Sequence, residues 1–511
     1  MLHFLERQLP GFPVRLCLLI TILLHLGCAW FSVGYYNPDE HYQILEFANY
    51  KLGLSPPSDL AWEYPAKIRP AVQPAMAYGV YRIMEKVRMA DPFSVSFLLR
   101  LITSIAGWFV ALAMCIIVMR WLSYDLSKKA LFLFSCFFWF FPFFHCRFSS
   151  ESWSGVAFFA AMTFILWAPL SNDTPQNRRF EKIMRFIGAG FLLGFSFFFR
   201  YQMGVSILGI GLWLLFFRKA TMGELFCLFA AFCAACCINI GIDRWFYGSW
   251  VLTPVNYFVV NLIKGVSNEF GVFPWWYYLV QLLINLAPPF SLLILAAIFL
   301  SWYKCPKNPL VWISVPFFLL HCIVGHKEFR FLFPMLYALP ALLVLGVDAL
   351  RPSMVARLKK ISAAKIVRIS FIVFIAIDIF LLLGYSFKPG KETITVYKWI
   401  YKEAIRRPLT LFSLAHSPYH LSDYPINFYR PPHLNIVKMH SADSLRRVIK
   451  ESKEPVIVLT STFIVPDSLK DESLEWKVER RSIPRWLERF NINHWLMRVR
   501  VWTIFSVYHK G

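Results

Sequence analysis

Charge is what this 511-residue chain has least of: 16% of its residues are Asp, Glu, Lys or Arg, against about 25% in a typical soluble domain. Acidic residues are the scarcer sign, 30 against 53 Lys and Arg. With 58% hydrophobic residues, gathered in blocks such as 131–144 (LFLFSCFFWFFPFF) and 369–386, the chain cannot cover a water-soluble globule. A soluble enzyme, a disordered chain and a fibrous repeat are thereby excluded. Alternation of apolar and polar residues over strand-length segments is also missing, which excludes an outer-membrane barrel. Cysteine is absent after Cys322, and most of the 11 cysteines lie inside apolar blocks, so no disulfide framework is expected. The one C-x-x-C, Cys233 and Cys236, falls inside a block and has no second pair to complete a zinc site. There is no HExxH, no Walker A loop and no GxGxxG opening a helix. Neither an internal repeat nor a low-complexity tract is present. What remains is a multi-helix membrane protein.

Apolar length, with ends set at charged or Pro/Gly clusters, predicts about eleven helices: 14–34, 96–119, 130–144, 151–169, 186–199, 203–217, 224–242, 277–300, 310–325, 333–350 and 369–387. Several are short for a hydrocarbon core of about 30 Å, which implies tilt or re-entrance. The first run, behind Arg7 and Arg15, continues too far for a cleaved leader and reads as an uncleaved helix. A net charge of +23 would suggest nucleic acid in a soluble protein. Here the basic residues flank apolar blocks, as the positive-inside rule expects, and no nucleic-acid partner is implied. With the N-terminus in the cytoplasm, the inside loops hold Arg120, Lys128 and Lys129; Arg178, Arg179, Lys182 and Arg185; Arg218 and Lys219; Lys304 and Lys307; and the cluster from Arg351 to Arg368. The loops 35–95 and 243–276 and the tail then face outward. The tail carries mixed charge, and 454–465 and 495–508 alternate like strands. The expected fold class is thus an α-helical multi-pass membrane domain, 1–387, followed by a small α/β domain, 388–511, on the lumenal or periplasmic side. The sequon Asn172-Asp173-Thr174 falls on the expected cytoplasmic side.

Five polar constellations fall on the outer face of this topology, which loop charges alone set. Asn37-Pro38-Asp39-Glu40-His41 places adjacent carboxylates at a helix exit, where one can act as a general base while the other tunes it. Trp62-Glu63-Tyr64, with Lys67, Arg69 and Gln73, suits a lipid phosphate or sugar, or equally an interfacial helix. Arg147, Ser149, Ser150 and Glu151 form the third group and Arg200-Tyr201-Gln202 the fourth; each alone also reads as snorkelling at a helix hairpin. His326-Lys327-Glu328-Phe329-Arg330 is dense for a membrane turn, and its cations suit a leaving phosphate. None has the spacing of a known metal site.

These motifs resemble those of the lipid-linked α-mannosyltransferases of the GT-C superfamily (glycosyltransferase family 22). Residues 37–43 are similar to the family's acidic loop, with Asn37 where it begins with His. Trp62 to Arg69, Gly194 to Gln202, Ile242 to Tyr257, Gly271 to Tyr277 and His326 to Phe331 are similar, in order, to five further family elements. The tail stretch Ala415-His416-Ser417-Pro418-Tyr419-His420, with Pro425 and Phe428, resembles the glycosylphosphatidylinositol (GPI) mannosyltransferase III branch. The resemblance implies a metal-independent, cofactor-free, inverting transfer in the endoplasmic reticulum or a bacterial inner membrane, with the active site on the lumenal or periplasmic face. The donor would be polyprenyl (dolichyl) phosphate mannose. The acceptor would be a mannose hydroxyl of a lipid-linked glycan, of the GPI type for this branch with α-1,2 linkage. Asp39 would be the base and Glu40 its positioning partner. Arg200, Gln202, His326, Lys327, Arg330, Trp62, Glu63 and Arg69 would hold donor phosphate or substrate. Two alternatives stay open: a GT-C transferase with another sugar or acceptor, and a transporter or flippase of lipid-linked sugar. The latter would place charges at the midplane and carry repeated halves.

Overall fold

The computed structural model describes residues 1–167, 175–357, 361–414, 417, 419–421 and 424–510. The sequon at 172–174 and residues Ala415, His416 and Pro418 of the tail resemblance lie outside these. The chain forms two compact units. One comprises Met1–Trp30, Trp62–Met76 and Leu99–Lys388; the other comprises Phe31–Ala61, Ala77–Leu98 and Pro389–Gly511. The tail, expected as a domain of its own, thus shares its unit with two stretches of the long first loop.

The first unit is helical. Among the described residues six helices are long and apolar enough to cross a membrane: Val14–Phe31, Pro92–Met119, Arg179–Phe199, Met222–Tyr247, Phe329–Leu350 and Ile369–Ser386. Tyr201–Phe216, Ser291–Lys304 and Pro309–Ile323 are shorter apolar helices. Two expected spans are interrupted where proline removes a backbone donor. The run 130–144 is a helix Asp125–Phe137, a turn, and a short helix Phe141–His145 with Pro142 in its first turn. The run 277–300 divides into Tyr277–Asn285 and Ser291–Lys304 around Pro288 and Pro289. Met222–Tyr247 and Ile369–Ser386 bury only 17% and 22% of their most apolar windows. Their exposed Phe226, Phe229, Phe371 and Phe380 suit hydrocarbon rather than water.

Apolar lipid gives helices no hydrophobic reason to associate, so close packing and interhelical hydrogen bonds must do it. Pro175–Phe199 packs on Met222–Tyr247 through Gly190 and Gly194, one turn apart, which lie against Leu228, Ala231 and Ala235. A Cβ on either glycine would overlap those atoms. Buried hydroxyls add polar ties: Thr21 Oγ1 donates to the Cys136 carbonyl at 2.9 Å and Ser196 Oγ to that of Ser154 at 2.8 Å.

Strands in the second unit are β1 (Leu409–Leu414), β2 (His420–Leu421), β3 (Tyr424–Pro425), β4 (Leu434–Met439), β5 (Val456–Thr460), β6 (Leu474–Arg481) and β7 (Thr503–His509). Five form one sheet in the order β4-β1-β5-β7-β6, and β2 and β3 pair separately. β1 is parallel to both neighbours, and β7 is antiparallel to both of its own. Central β5 is buried along its length, which is why VIVLT is a continuous apolar run. The expected strand 495–508 starts only at Thr503, because its first residues belong to the 3₁₀ segment Ile492–Met497, entered through positive φ at Asn493 and His494 (60° and 53°). Helix Ala442–Glu451 buries Leu445 and Ile449 in a core with Val456, Val458 and Phe505. Gly34, at φ +85°, has Lys391 and Ile394 where a Cβ would sit, so the loop that leads to the acidic motif passes directly over the start of helix Thr393–Arg406.

Candidate active site

In the first unit three constellations that are far apart in sequence meet at one buried carboxylate. Ser149 caps helix Ser150–Leu166 by accepting from the Ser152 amide at 3.2 Å. This puts Glu151 in the first turn, where the helix dipole favours a negative charge. Helix Pro175–Phe199 ends as Arg200 turns extended (φ −156°, ψ 110°). Its guanidinium donates to Glu151 Oε1 at 2.7 Å. Arg330 reaches the same oxygen at 3.3 Å. It also grips Glu328 with two N–H groups, at 2.7 and 2.9 Å, a bidentate pair. His326 completes the row, with Nε2 3.4 Å from Glu328 and Nδ1 3.0 Å from the Gly271 carbonyl. Glu151, Arg200 and Arg330 are buried.

The charges set one another. Burial alone would raise the Glu328 carboxyl, but hydrogen bonds from His326 and Arg330, with their charge, outweigh it and hold it well below its ordinary value. In return, the hydrogen bond to Glu328 raises His326. Both ring nitrogens face acceptors, which suits the imidazolium. Lys327 behaves differently. Its ammonium is buried and donates to the carbonyls of Phe273 (3.0 Å), Gly325 (3.5 Å) and Val324, so it folds its own turn around itself.

The interfacial segment Trp62–Met76 is stitched to the same unit. Asp243 accepts from the Ala71 amide at 2.7 Å and from Thr253 Oγ1 at 2.6 Å. Tyr247 OH donates to the Arg69 carbonyl at 2.7 Å, and Asn256 Nδ2 to that of Lys67 at 3.1 Å. Glu63 and Arg69 stand 3.6 Å apart. The Arg69 guanidinium lies 5.9 Å from the Tyr257 ring centre, and the Tyr257 hydroxyl accepts from Gln202 Nε2 at 2.8 Å. Trp62 stacks on Phe270 (5.9 Å, 20°), whose edge meets His326 at 6.2 Å. The structure therefore gathers Trp62, Glu63, Arg69, Arg200, Gln202, His326 and Arg330 into one polar-aromatic cluster. Arg200 Nε is buried within it with no hydrogen-bond partner. Such an orphaned donor in a native site points to an absent acceptor.

Asp39 and Glu40 belong to the second unit. Asn37 is extended (φ −119°, ψ 143°) and its side chain accepts from the Asp39 amide at 3.0 Å, a helix N-cap, with Pro38 at the first helical position. Glu40 Oε2 accepts from the Tyr36 amide at 3.2 Å. Both carboxylates thus sit in a first helical turn, where backbone N–H groups stabilise negative charge. The next turn, His41–Leu45, is π-wound. That brings His41 and Glu46, five residues apart, into a buried contact at 2.7 Å. The same Glu46 oxygen accepts from the amides of Asn427 (2.8 Å) and Phe428 (2.9 Å), and the His41 ring stacks on Tyr429 (5.7 Å, 11°). The acidic motif is clamped from behind by the tail.

Of the residues not expected to hold substrate, His41 and Glu151 belong to the polar constellations of the sequence and Asp243 to the family element Ile242 to Tyr257, while Glu46 carries no sequence signal beyond its charge. Among the described residues no group of three or more His, Cys, Asp or Glu is placed to hold a metal ion.

A Schizosaccharomyces pombe protein named as a probable Dol-P-Man:Man(7)GlcNAc(2)-PP-Dol alpha-1,6-mannosyltransferase is 29% identical over 142 residues, 28% of this chain and 25% of its own. GPI mannosyltransferase 3 of Drosophila melanogaster is 24% identical over 356 residues, 65% of this chain and 55% of its own. The chain thus spans about half, or less, of the length of these two curated relatives. Among solved structures, ArnT from Cupriavidus metallidurans, bound to undecaprenyl phosphate, aligns over 96% of this chain and 97% of its own, at 12% identity and a TM-score of 0.47. The model of the Alg9-like mannosyltransferase family matches residues 16–406, and the chain belongs to that family.

Proposed function

We propose that this membrane protein is an inverting mannosyltransferase. It moves mannose from polyprenyl (dolichyl) phosphate mannose to a mannose hydroxyl of a lipid-linked glycan, on the lumenal or periplasmic side of its membrane. The acceptor oxygen bonds to C1 of the donor mannose as the bond from C1 to the phosphate oxygen breaks. The hydroxyl proton goes to the Asp39 carboxylate, since a sugar hydroxyl is too weak a nucleophile unaided. The bonding electrons leave with the polyprenyl phosphate, and its added charge is met by Arg200 and Arg330. Fixed guanidiniums supply what a metal ion would otherwise supply, so no divalent cation is needed.

The observation that carries this reading is the buried pair of guanidiniums on the single Glu151 oxygen. With His326 charged, the cluster keeps a net positive charge for an arriving phosphate. Glu40 positions the base, and Trp62, Glu63, Arg69 and Gln202 contact sugar. Lys327, spent on carbonyls, shapes the turn that presents Arg330. A GPI-type glycolipid is the proposed acceptor, as the name of the Drosophila relative suggests, and the bond formed is proposed as an α-1,2 linkage, which the resemblance to this branch implies. The test is transfer in detergent micelles from polyprenyl phosphate mannose to GPI-type and dolichyl-diphosphate-linked mannose acceptors, with excess EDTA. Transfer that survives EDTA and disappears in Asp39→Asn is the expected result. Transfer that persists in a folded Asp39→Asn protein removes the base assignment, and loss of transfer in EDTA removes the metal-free scheme.

A further inference from the structure

The first unit contains a polar cavity that the proposed reaction does not use. It measures about 680 Å³, and Lys182, Arg185, Arg218 and Lys307 stand in its wall. They come from three helices: the first half of Pro175–Phe199 carries the first two, Arg218 follows Gly204–Phe216, and Lys307 precedes Pro309–Ile323. Carboxylates do not balance them. Lys182 pairs with Glu224, and Arg185 lies 3.8 Å from Glu181. Arg218 and Lys307 have no ion-pair partner among the described residues.

The two guanidiniums are fixed rather than loose. Arg185 donates to the Trp167 carbonyl and Arg218 to that of Ile165, both at the end of helix Ser150–Leu166. Arg185 Nε is buried with no hydrogen-bond partner. Asn308 caps Pro309–Ile323 by accepting from the Leu310 amide at 2.9 Å, so the positive end of that helix dipole also opens on the cavity. Three indoles, Trp121, Trp167 and Trp213, line the remainder. Indoles of this kind favour the headgroup level of a bilayer. The space far exceeds a bare phosphate and lies within the range of small-molecule sites.

We propose that the cavity ringed by Lys182, Arg185, Arg218 and Lys307 binds a phosphate-bearing lipid headgroup, at the membrane face whose loops carry most of the basic residues. Phosphate chemistry is what these donors recognise: fixed guanidiniums, a helix N-terminus and an excess of positive charge. A lipid is the favoured source because the site lies where apolar helices end.

Native mass spectrometry of the purified full-length chain in detergent, titrated with dioctanoyl phosphatidic acid, tests this. The expected result is one retained lipid, bound at least tenfold more weakly by Arg218→Gln/Lys307→Ala and partly restored in Arg218→Lys/Lys307. Dioctanoylglycerol, which lacks phosphate, should not be retained. Lys128→Ala/Lys129→Ala removes equal charge from the start of helix Asp125–Phe137, on the same expected face but outside the cavity, and should bind as the wild type does. Lys307→Ala alone, an exposed side chain, keeps the test open if the double variant fails to fold. Displacement by inorganic phosphate at the lipid's own midpoint concentration would identify free phosphate as the source and overturn the lipid assignment. Equal weakening by the two double variants, or equal retention of dioctanoylglycerol, would overturn the site itself.

Discussion

The hydrogen bond that seats Asp39 in its turn uses the backbone amide. Asp39→Asn therefore keeps the N-cap while removing the base. Its kcat should fall about 10²–10⁴-fold, the usual worth of a general base. Asn37→Ala is the converse: it should cost about 1 kcal/mol of stability through the lost cap and reduce kcat far less. Asn37 departs from the family's leading His, yet asparagine is among the best capping residues, so the departure leaves the turn intact. Glu151→Gln removes the charge shared by Arg200 and Arg330 and leaves two buried guanidiniums facing a neutral amide. Breaking such a pair costs about 3–5 kcal/mol, and detergent denaturation should show a loss of that size together with lost transfer. The His326–Glu328 contact adds a pH signature. Glu328 is lowered, so its contribution is present above the ordinary carboxyl value of 4.5 and is lost only as pH falls through its depressed folded value. His326 is raised, so its contribution is full below the ordinary 6.5 and is lost as pH rises through its higher folded value. The thermal midpoint of the wild type should decline as pH climbs past that point, and His326→Gln should flatten the decline.

At the scale of elements, apolar length made the spans legible, because a membrane selects for length above all. It did not show where Pro142 or the Pro288–Pro289 pair interrupts a run that is apolar on both sides. Arg200 and Arg330 were legible as charges out of place, but their common partner was not: Arg200 lies 49 residues from Glu151 in sequence. The His41–Glu46 clamp was hidden for a geometric reason. A helical reading looks for partners three or four positions away, and these meet only because the turn is π-wound. The clamp gives the element-scale prediction. Glu46→Ala removes the acceptor of the Asn427 and Phe428 amides and leaves His41 buried without its carboxylate. Hydrogen exchange at those two amides should accelerate at least tenfold, and kcat should fall more than donor KM rises, because the acidic turn loses its backing. Unchanged protection at 427 and 428 would mean that other contacts hold the tail.

For the whole molecule, the lipid-donor reading depends on which side of the membrane the charged clusters face. Nucleotide sugars are made in the cytoplasm, so a transferase facing outward needs its sugar carried on a lipid. Loop charge sets the expected orientation: Lys219 and Lys307 inside, Glu269 and the tail outside. Single cysteines at these positions, in a background whose accessible cysteines are replaced, can be labelled in sealed vesicles with an impermeant maleimide. Lys219→Cys and Lys307→Cys should react from the cytoplasmic side. Glu269→Cys and Lys477→Cys should react from that side only after the vesicles are opened. The positions are informative because each side chain is well exposed or lies in a loop, so failure to react reports the membrane and not burial. The reverse pattern would put Arg200, Arg330 and His326 in reach of soluble nucleotide sugars. A second phosphate on the leaving group would then need charge that Glu151 and Glu328 already consume, and the guanidinium pair would no longer suffice without a metal ion.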